Sequence, residues 1–219
     1  MDRARAELLS ELLSPTPLVE GARRLAGALR RPGTTPGGLL LVGTPDHEPW
    51  HLTAHLDEEA RYAGLPELTP TLVRWQVPEG APAHLAVDLQ RLEGARRGET
   101  VFVVSPDEAP TSLLERADDA RRRGATLVSL DTGDDDLGGI VHERMVVSPT
   151  GIALPTSVLH ELEAEAGLDG LTDVGAPMSF DVAQHLVSAA AGEAERVRRG
   201  WRARLEAVLD RVSGPAPQR

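Results

Sequence analysis

The sequence contains no cysteine, no lysine and no asparagine, so all 23 basic residues are arginines. Without cysteine, the chain has no thiolate nucleophile, no disulfide and no cysteine-ligated zinc or iron–sulfur centre. Without lysine, it has no Schiff-base amine and no P-loop, whose lysine contacts nucleotide phosphates. Charged recognition of an anion therefore depends on arginine, histidine or backbone N–H groups.

Positive charge and aromatic side chains are also scarce. The formal net charge is -11, which disfavours nucleic acid and anionic membranes as partners of the whole surface. Aromatic residues make up 3% of the chain, too few for a platform that stacks single-stranded nucleic acid. The start, MDRARAELLSELL, lacks an apolar signal core, and no apolar run approaches the roughly 20 residues of a membrane span. We expect a cytoplasmic protein that binds neither nucleic acid nor membrane.

Five short apolar segments alternate with amphipathic helical patterns along the 219 residues. Parallel strands need crossover connections, and these bury both faces of a sheet. The sequence therefore predicts an α/β fold with a five-stranded parallel sheet and helical extensions at both ends. The predicted strands are 38–43, 71–77, 99–104, 125–130 and 143–147. The predicted helices are 3–13, 17–30, about 46–63, 82–97, 110–123, 155–166 and 179–212.

Ligands of an open parallel sheet bind outside the carboxyl ends of its strands. The loop after the first strand, GTPDHEPW, lacks the GxGxxG pattern of dinucleotide binding. The loop after the third strand, SPDEAPTS, opens a helix whose backbone N–H groups can hold a phosphate. N-capping by Thr111 or Ser112 accounts for the same hydroxyls, and Asp107 and Glu108 would repel an anion.

The segment VFVVSPDEAPTSLLERADDARRRGATLVSLDTGDDDLGGIVHERMVV resembles the core of the SIS (sugar isomerase) domain. The preceding amphipathic helix and the GGLLLVG strand match that domain as well, so the resemblance covers about residues 17–195. Within that superfamily, the chain resembles phosphoheptose isomerase-like proteins or uncharacterised relatives of similar size. The resemblance implies a Rossmann-like three-layer sandwich with a sheet of flavodoxin-like order. Residues 1–16 are then an N-terminal helical extension, and 196–219 are the end of the last helix with a frayed tail.

The same resemblance implies a sugar phosphate as the ligand and a homodimer or homotetramer as the assembly. Its phosphate-binding positions correspond to five residues of the two loops. These are Gly43, Thr44, Ser105, Thr111 and Ser112.

Isomerases of this family use a glutamate and a histidine of the C-terminal helix as acid and base, with no obligatory cofactor. The candidates for those two roles are His185 and either Glu59 or Glu58. Where the family loop has small residues, this chain has Pro106, Asp107 and Glu108. The alternative is therefore a non-catalytic scaffold or sensor whose phosphate loop has degenerated.

A histidine series provides a separate hypothesis. His47, His51 and His55 recur every fourth residue, and Glu59 continues the series, so a continuous helix would place them on one face. Imidazoles one helical turn apart can chelate a divalent metal such as zinc, nickel or copper. Pro49 sets His47 apart, which leaves His51 and His55 as the candidate metal ligands of a histidine-rich metal-binding protein. A solvated or dimer-facing polar stripe is the alternative.

Overall fold

A computed structural model describes residues 17–30, 37–147, 180 and 183–192. Within these residues, five strands form one sheet in the order β2-β1-β3-β4-β5, and every pairing is parallel. This is the flavodoxin-like order, so the predicted α/β fold is confirmed. The strands are β1 (Leu39–Gly43), β2 (Pro70–Val73), β3 (Thr100–Ser105), β4 (Thr126–Asp131) and β5 (Glu143–Val146).

Helices connect the strands and cover the sheet. They are α1 (Pro17–Leu29), α2 (Trp50–Ala63), α3 (Gln90–Glu93), α4 (Thr111–Arg122) and α5 (Asp135–Gly138). Residues 183–192 are also helical and are called α6, and residue 180 is helical as well. Short 3-10 turns occur at Pro66–Leu68 and Ala83–Leu85.

Side chains of β1 alternate between two buried clusters, as expected for a strand covered on both faces. Leu39 and Leu41 join the cluster made with α1, α2 and α6, and this side is called the α2 face. Leu40 and Val42 join the cluster made with α4, and this side is called the α4 face. Each fully buried leucine contributes about 1.5–3 kcal/mol of transfer free energy.

The helix predicted over 82–97 is wrong. The backbone N–H of Arg74 donates to the carbonyl of Val87 at 2.9 Å, and Arg74 forms an isolated parallel bridge with Asp88. This pairing beside β2 keeps the middle of the segment extended, so only the Ala83–Leu85 turn and the single turn of α3 are helical. The same pairing follows the end of β2 at Val73, four residues before the predicted end at 77.

The start of α2 also differs from the sequence expectation, which placed Asp46 as the cap. His47 N–H donates to the carbonyl of Thr44 at 3.2 Å, closing a tight turn that leaves Asp46 exposed. The helix begins at Trp50 after Pro49, without a side-chain cap. Because Pro49 has no N–H and fixes its own φ, it is suited to the entry of a helix.

Several sequence predictions fall outside the described residues. These are the helices at 3–13 and 155–166 and the extensions at 1–16 and 196–219. Within the described residues, no helix has the length and apolar character needed to cross a membrane.

Candidate functional site

A sharp turn after β1 places the start of α2 at the carboxyl edge of the sheet. A Cβ at Gly43 would overlap the carbonyl oxygen of His47, so this close approach requires glycine. The indole N–H of Trp75 donates to the carbonyl of Gly43 at 2.7 Å, and Arg74 pairs with Glu48 at 2.9 Å. These contacts tie the turn to the residues that follow β2, at the carboxyl edge of the sheet where ligands of such sheets bind.

Three histidines from two helices meet on the α2 face. His51 and His55 lie on successive turns of α2, and His185 comes from α6. One ring nitrogen from each histidine lies within 4.8 Å of one from each of the other two. The ring centroids are 4.8 Å apart for His51 and His55, 5.1 Å for His51 and His185, and 4.4 Å for His55 and His185. We call this cluster the histidine trio.

Burial favours the neutral form of His55. Its Nε2 is buried and has no hydrogen-bond partner among the described residues. Burial and, secondarily, the neighbouring His51 lower the pKa of His55, while Glu58, 3.8 Å from its Nδ1, acts in the opposite direction. Near neutral pH the ring therefore keeps a lone pair, which is the form that binds metal.

The donor set of the trio fits a divalent transition metal. Three imidazole nitrogens are a ligand set used by catalytic zinc, and imidazole also suits copper, nickel and iron. His185 is buried, whereas His51 and His55 are half-buried, so the cluster opens toward solvent on the α2 side. His47 contacts Phe180 edge-on at 5.6 Å and is not a member of the trio.

Glu59 lies one turn beyond His55 in the interface between α2 and α6. Its side chain is buried, and a Cβ at Gly192 would overlap its carboxylate. His185 lies beside His51 and His55 while Gly192 lies beside Glu59, so α6 runs beside α2 in the same direction. The proposed acid and base thus share one interface, at different levels along it.

The loop after β3 is closed by its own hydrogen bonds. The buried hydroxyl of Ser105 donates to the carbonyl of Asp107 at 2.5 Å. The N–H of Ala109 donates to Oδ2 of Asp134 at 2.7 Å. A phosphate at this loop would therefore have to replace a bond at Ser105 and displace a carboxylate at Ala109.

Thr111 and Ser112 begin α4 on the other face of the sheet. The helix has Pro110 as its N-cap and no side-chain cap, so the expected capping by either hydroxyl is wrong. Ser105 shares its direction with Val103, which lies in the α4 cluster. The structure thus separates these three hydroxyls from the histidine trio.

An open cleft of about 550 Å³ lies beside the same loop. Its lining has no basic side chain, and its carboxylates oppose the binding of an anion. The residues that line it are Glu108, Ala109, Thr111, Leu114, Thr132, Gly133, Asp134, Asp135 and Asp136.

The nearby arginine is already paired. Arg144 Nη2 lies 2.6 Å from Oδ1 of Asp131, and its Nε lies 2.9 Å from Oδ2. Asp131 is fully buried, and its hydrogen bond raises the pKa of Arg144 above its ordinary value. The guanidinium therefore balances the charge of Asp131 at the carboxyl end of β4.

Thr44 differs from the other predicted hydroxyls. It is 4% exposed, and its Oγ1 is buried with no hydrogen-bond partner among the described residues. It follows Gly43 directly at the carboxyl end of β1. A ligand oxygen is one partner that would satisfy this hydroxyl.

Two relationships within the site were not evident from the sequence. The proximity of His185, a candidate acid or base, to His51 and His55 was not predicted, because nothing local links α6 to α2. No role was predicted for Trp50, whose indole stacks on His51. The adjacent Trp-His pair at a helix start was the available signal.

No protein-family model matches the sequence, and no curated protein matches it significantly. Solved structures similar to this chain include three at 14–15% identity. A candidate phosphosugar isomerase from Silicibacter pomeroyi has a TM-score of 0.45, with 90% of this chain and 53% of that chain covered. Vibrio vulnificus NanR complexed with ManNAc-6P has a TM-score of 0.47, with 88% and 62% covered.

The third is a candidate sugar-binding protein from Salmonella typhimurium, with a TM-score of 0.47 and with 90% of this chain and 48% of that chain covered. This chain thus spans about half to three fifths of the length of these three proteins. The likeness to these three proteins concerns the overall fold alone.

Proposed function

We propose that this chain is a phosphosugar-binding protein of SIS-like fold that holds a divalent metal ion at the histidine trio. The observation that carries the metal proposal is the convergence of three imidazoles from α2 and α6, with ligand nitrogens within 4.8 Å of one another. The proposed organic ligand is a sugar phosphate, as the sequence resemblance implies.

His51, His55 and His185 are the proposed metal ligands. A divalent ion held there would supply a Lewis acid that polarises an oxygen of the ligand. The unpartnered Nε2 of His55 and its lowered pKa support this role, because a protonated imidazole does not bind metal. His185 supplies the third imidazole, from a buried position in the interface with α2.

Two groups of residues are proposed to contact the sugar phosphate. Gly43 and Thr44 lie at the carboxyl end of β1, and the Thr44 hydroxyl is buried without a partner among the described residues. Ser105, Thr111 and Ser112 form the second group, where binding requires Ser105 to exchange its bond to Asp107. The acidic lining of the adjacent cleft favours the first group.

Aldose–ketose isomerisation is the second candidate function. The buried carboxylate of Glu59 in the α2–α6 interface favours it, because a carboxylate held away from bulk water can act as a base toward a bound ligand. Glu59 and His185 would move protons between adjacent carbons of the ligand. A lone pair of His185 that binds metal cannot also accept a proton, so these two roles of His185 are alternatives for a given nitrogen.

The metal proposal is tested by the metal content of an untagged chain purified without chelator. We expect near-stoichiometric divalent metal in the wild-type chain and loss of it in His55→Ala. His142→Ala is the matched control, because His142 lies at the amino-terminal edge of the sheet, where its Nδ1 accepts the N–H of Leu127. Equal metal content in wild type and His55→Ala would contradict the proposal.

The ligand proposal is tested by thermal shift with aldose and ketose phosphates at millimolar concentration. Stabilisation by the phosphates, but not by the unphosphorylated sugars or inorganic phosphate, supports it. No stabilisation of a folded, metal-loaded chain would favour the scaffold alternative. Interconversion of a stabilising ligand, followed by NMR in wild type and Glu59→Gln, tests isomerisation separately.

A further inference from the structure

Trp50 is a large aromatic residue at the rim of the histidine trio. It is the first residue of α2 and is 61% exposed. Its indole stacks on the imidazole of His51, with ring centroids 5.1 Å apart and planes inclined by 26°. The other tryptophan of the described residues, Trp75, donates its indole N–H to the carbonyl of Gly43.

The stacking limits the orientation of His51. One side of its ring faces the indole, and the ring also meets His55 at a 41° tilt and His185 edge-on at 82°. His51 is half-buried and lies in the first turn of α2. The indole covers one face of the imidazole, and this contact restricts the rotamers open to the ring.

We propose that Trp50 is a positioning residue of the metal site, and that its indole holds the His51 imidazole in the orientation that faces His55 and His185. This inference rests on the proposed metal function. A ligand side chain that is already oriented loses less conformational freedom on binding, so its contribution to affinity is larger. Groups that orient metal-binding histidines typically change metal affinity by about 10–100-fold when removed.

Titration of Co(II) into the metal-free full-length chain tests this role, because Co(II) reports both affinity and coordination through its visible absorption. We expect Trp50→Ala to weaken Co(II) binding by about tenfold and to change the absorption band. Trp50→Phe keeps a stacking ring and should bind within about twofold of wild type. Trp50→Gln, a good helix former, is a second variant that lacks the ring.

Tyr62→Ala is the matched control, because Tyr62 is an equally exposed aromatic residue of α2, at 62%. It should bind Co(II) like wild type. In a His51→Ala background, adding Trp50→Ala should cause no further loss, because the indole acts through His51.

Wild-type affinity and spectrum in both Trp50→Ala and Trp50→Gln would overturn the role of Trp50 alone. An equal loss from Trp50→Ala with and without His51 would also overturn it, since the indole would then act through general stability. If the wild-type chain binds no Co(II), the proposed metal site fails and this inference fails with it. These results are distinguishable because only the last concerns the unaltered chain.

Discussion

The imidazole of His185 packs edge-on against that of His55, with ring centroids 4.4 Å apart and planes inclined by 66°. This contact joins α6 to α2 and is shorter than either contact of His51 within the trio. His185, a candidate acid or base, and His55, a candidate metal ligand, are therefore neighbours. The geometry of the histidine trio depends on the packing of α6 against α2 as well as on the donor atoms.

Replacement of His185 separates these two contributions. His185→Leu fills the interface with an apolar side chain but removes a donor, so we expect zinc affinity to fall by at least about tenfold while the fold is retained. Zinc competition with a fluorescent chelator measures the affinity, and circular dichroism checks the fold. Unchanged zinc affinity in a folded His185→Leu chain would remove His185 from the proposed ligand set.

The metal-free protein should lose stability in mild acid. Burial lowers the pKa of His55 below its ordinary value of 6.5, so over this range the unfolded chain binds more protons at His55 than the folded chain does. The neutral His55 therefore makes its full contribution to the free energy of unfolding above about pH 6.5. This contribution is lost as the pH falls through the pKa of His55 in the folded chain.

Urea unfolding of the chelator-treated chain between about pH 7 and pH 5 measures this effect. As the pH is lowered, we expect the free energy of unfolding to fall less steeply in His55→Gln than in wild type. His142→Gln should keep the wild-type slope. Identical slopes for wild type and His55→Gln would contradict the assigned burial of His55.

Gly192→Ala should destabilise the chain, because the added Cβ overlaps the carboxylate of the buried Glu59. We expect a cost of about 1–3 kcal/mol, typical of overpacking. Glu59→Ala in the same chain should relieve much of it. Gly27→Ala in α1 is the matched control, since nothing lies within 4 Å of its Cβ position.

Alanine is favoured over glycine inside a helix by up to about 1 kcal/mol, so Gly27→Ala should be neutral or stabilising. Thermal unfolding of the four chains provides the comparison. A Gly192→Ala chain as stable as Gly27→Ala would show that α6 does not approach Glu59 as described.

Arg144→Met should destabilise the fold without affecting the histidine trio. It leaves the fully buried Asp131 without its cation, and the loss of one partner of a buried pair typically costs about 3–5 kcal/mol. The exposed pair of Arg24 and Glu143, 3.4 Å apart, is the control. Arg24→Met should cost at most about 1 kcal/mol.

Denaturant unfolding and zinc binding of both variants test this prediction. Zinc affinity should stay unchanged in Arg144→Met under conditions where the chain is folded, since Asp131 lies at the end of β4 and the trio lies between α2 and α6. Equal stabilities of the two arginine variants would contradict the buried pairing. A selective loss of zinc affinity would contradict the separation of the two regions.

The sequence was sufficient for the architecture because the apolar strands carry their pattern locally. It was not sufficient for 82–97, where hydrogen bonding of Val87 to Arg74 beside the sheet edge overrides a helical pattern. The spacing of His51 and His55 likewise predicted a shared helix face. The approach of His185 could not be predicted, because it depends on how two distant helices pack.

In the acidic loop after β3, too, the residue types could be predicted from the sequence and the contacts could not. The charges of Asp107 and Glu108 were evident in the sequence and already argued against a phosphate there. The bond from Ser105 to Asp107 and the bond from Ala109 to Asp134 depend on backbone geometry that a residue pattern does not contain. Pairing of Asp131 with Arg144 joins two strands and was missed for the same reason.

Calorimetric titration of zinc into the chelator-treated full-length chain at neutral pH tests the metal site most directly. We predict one saturable site per chain, absent from the triple variant His51→Ala/His55→Ala/His185→Ala and retained in His142→Ala. Binding should release protons into the buffer where an imidazole of the trio is protonated beforehand. A wild-type titration no different from that of the triple variant would contradict the proposal that the trio is a metal site.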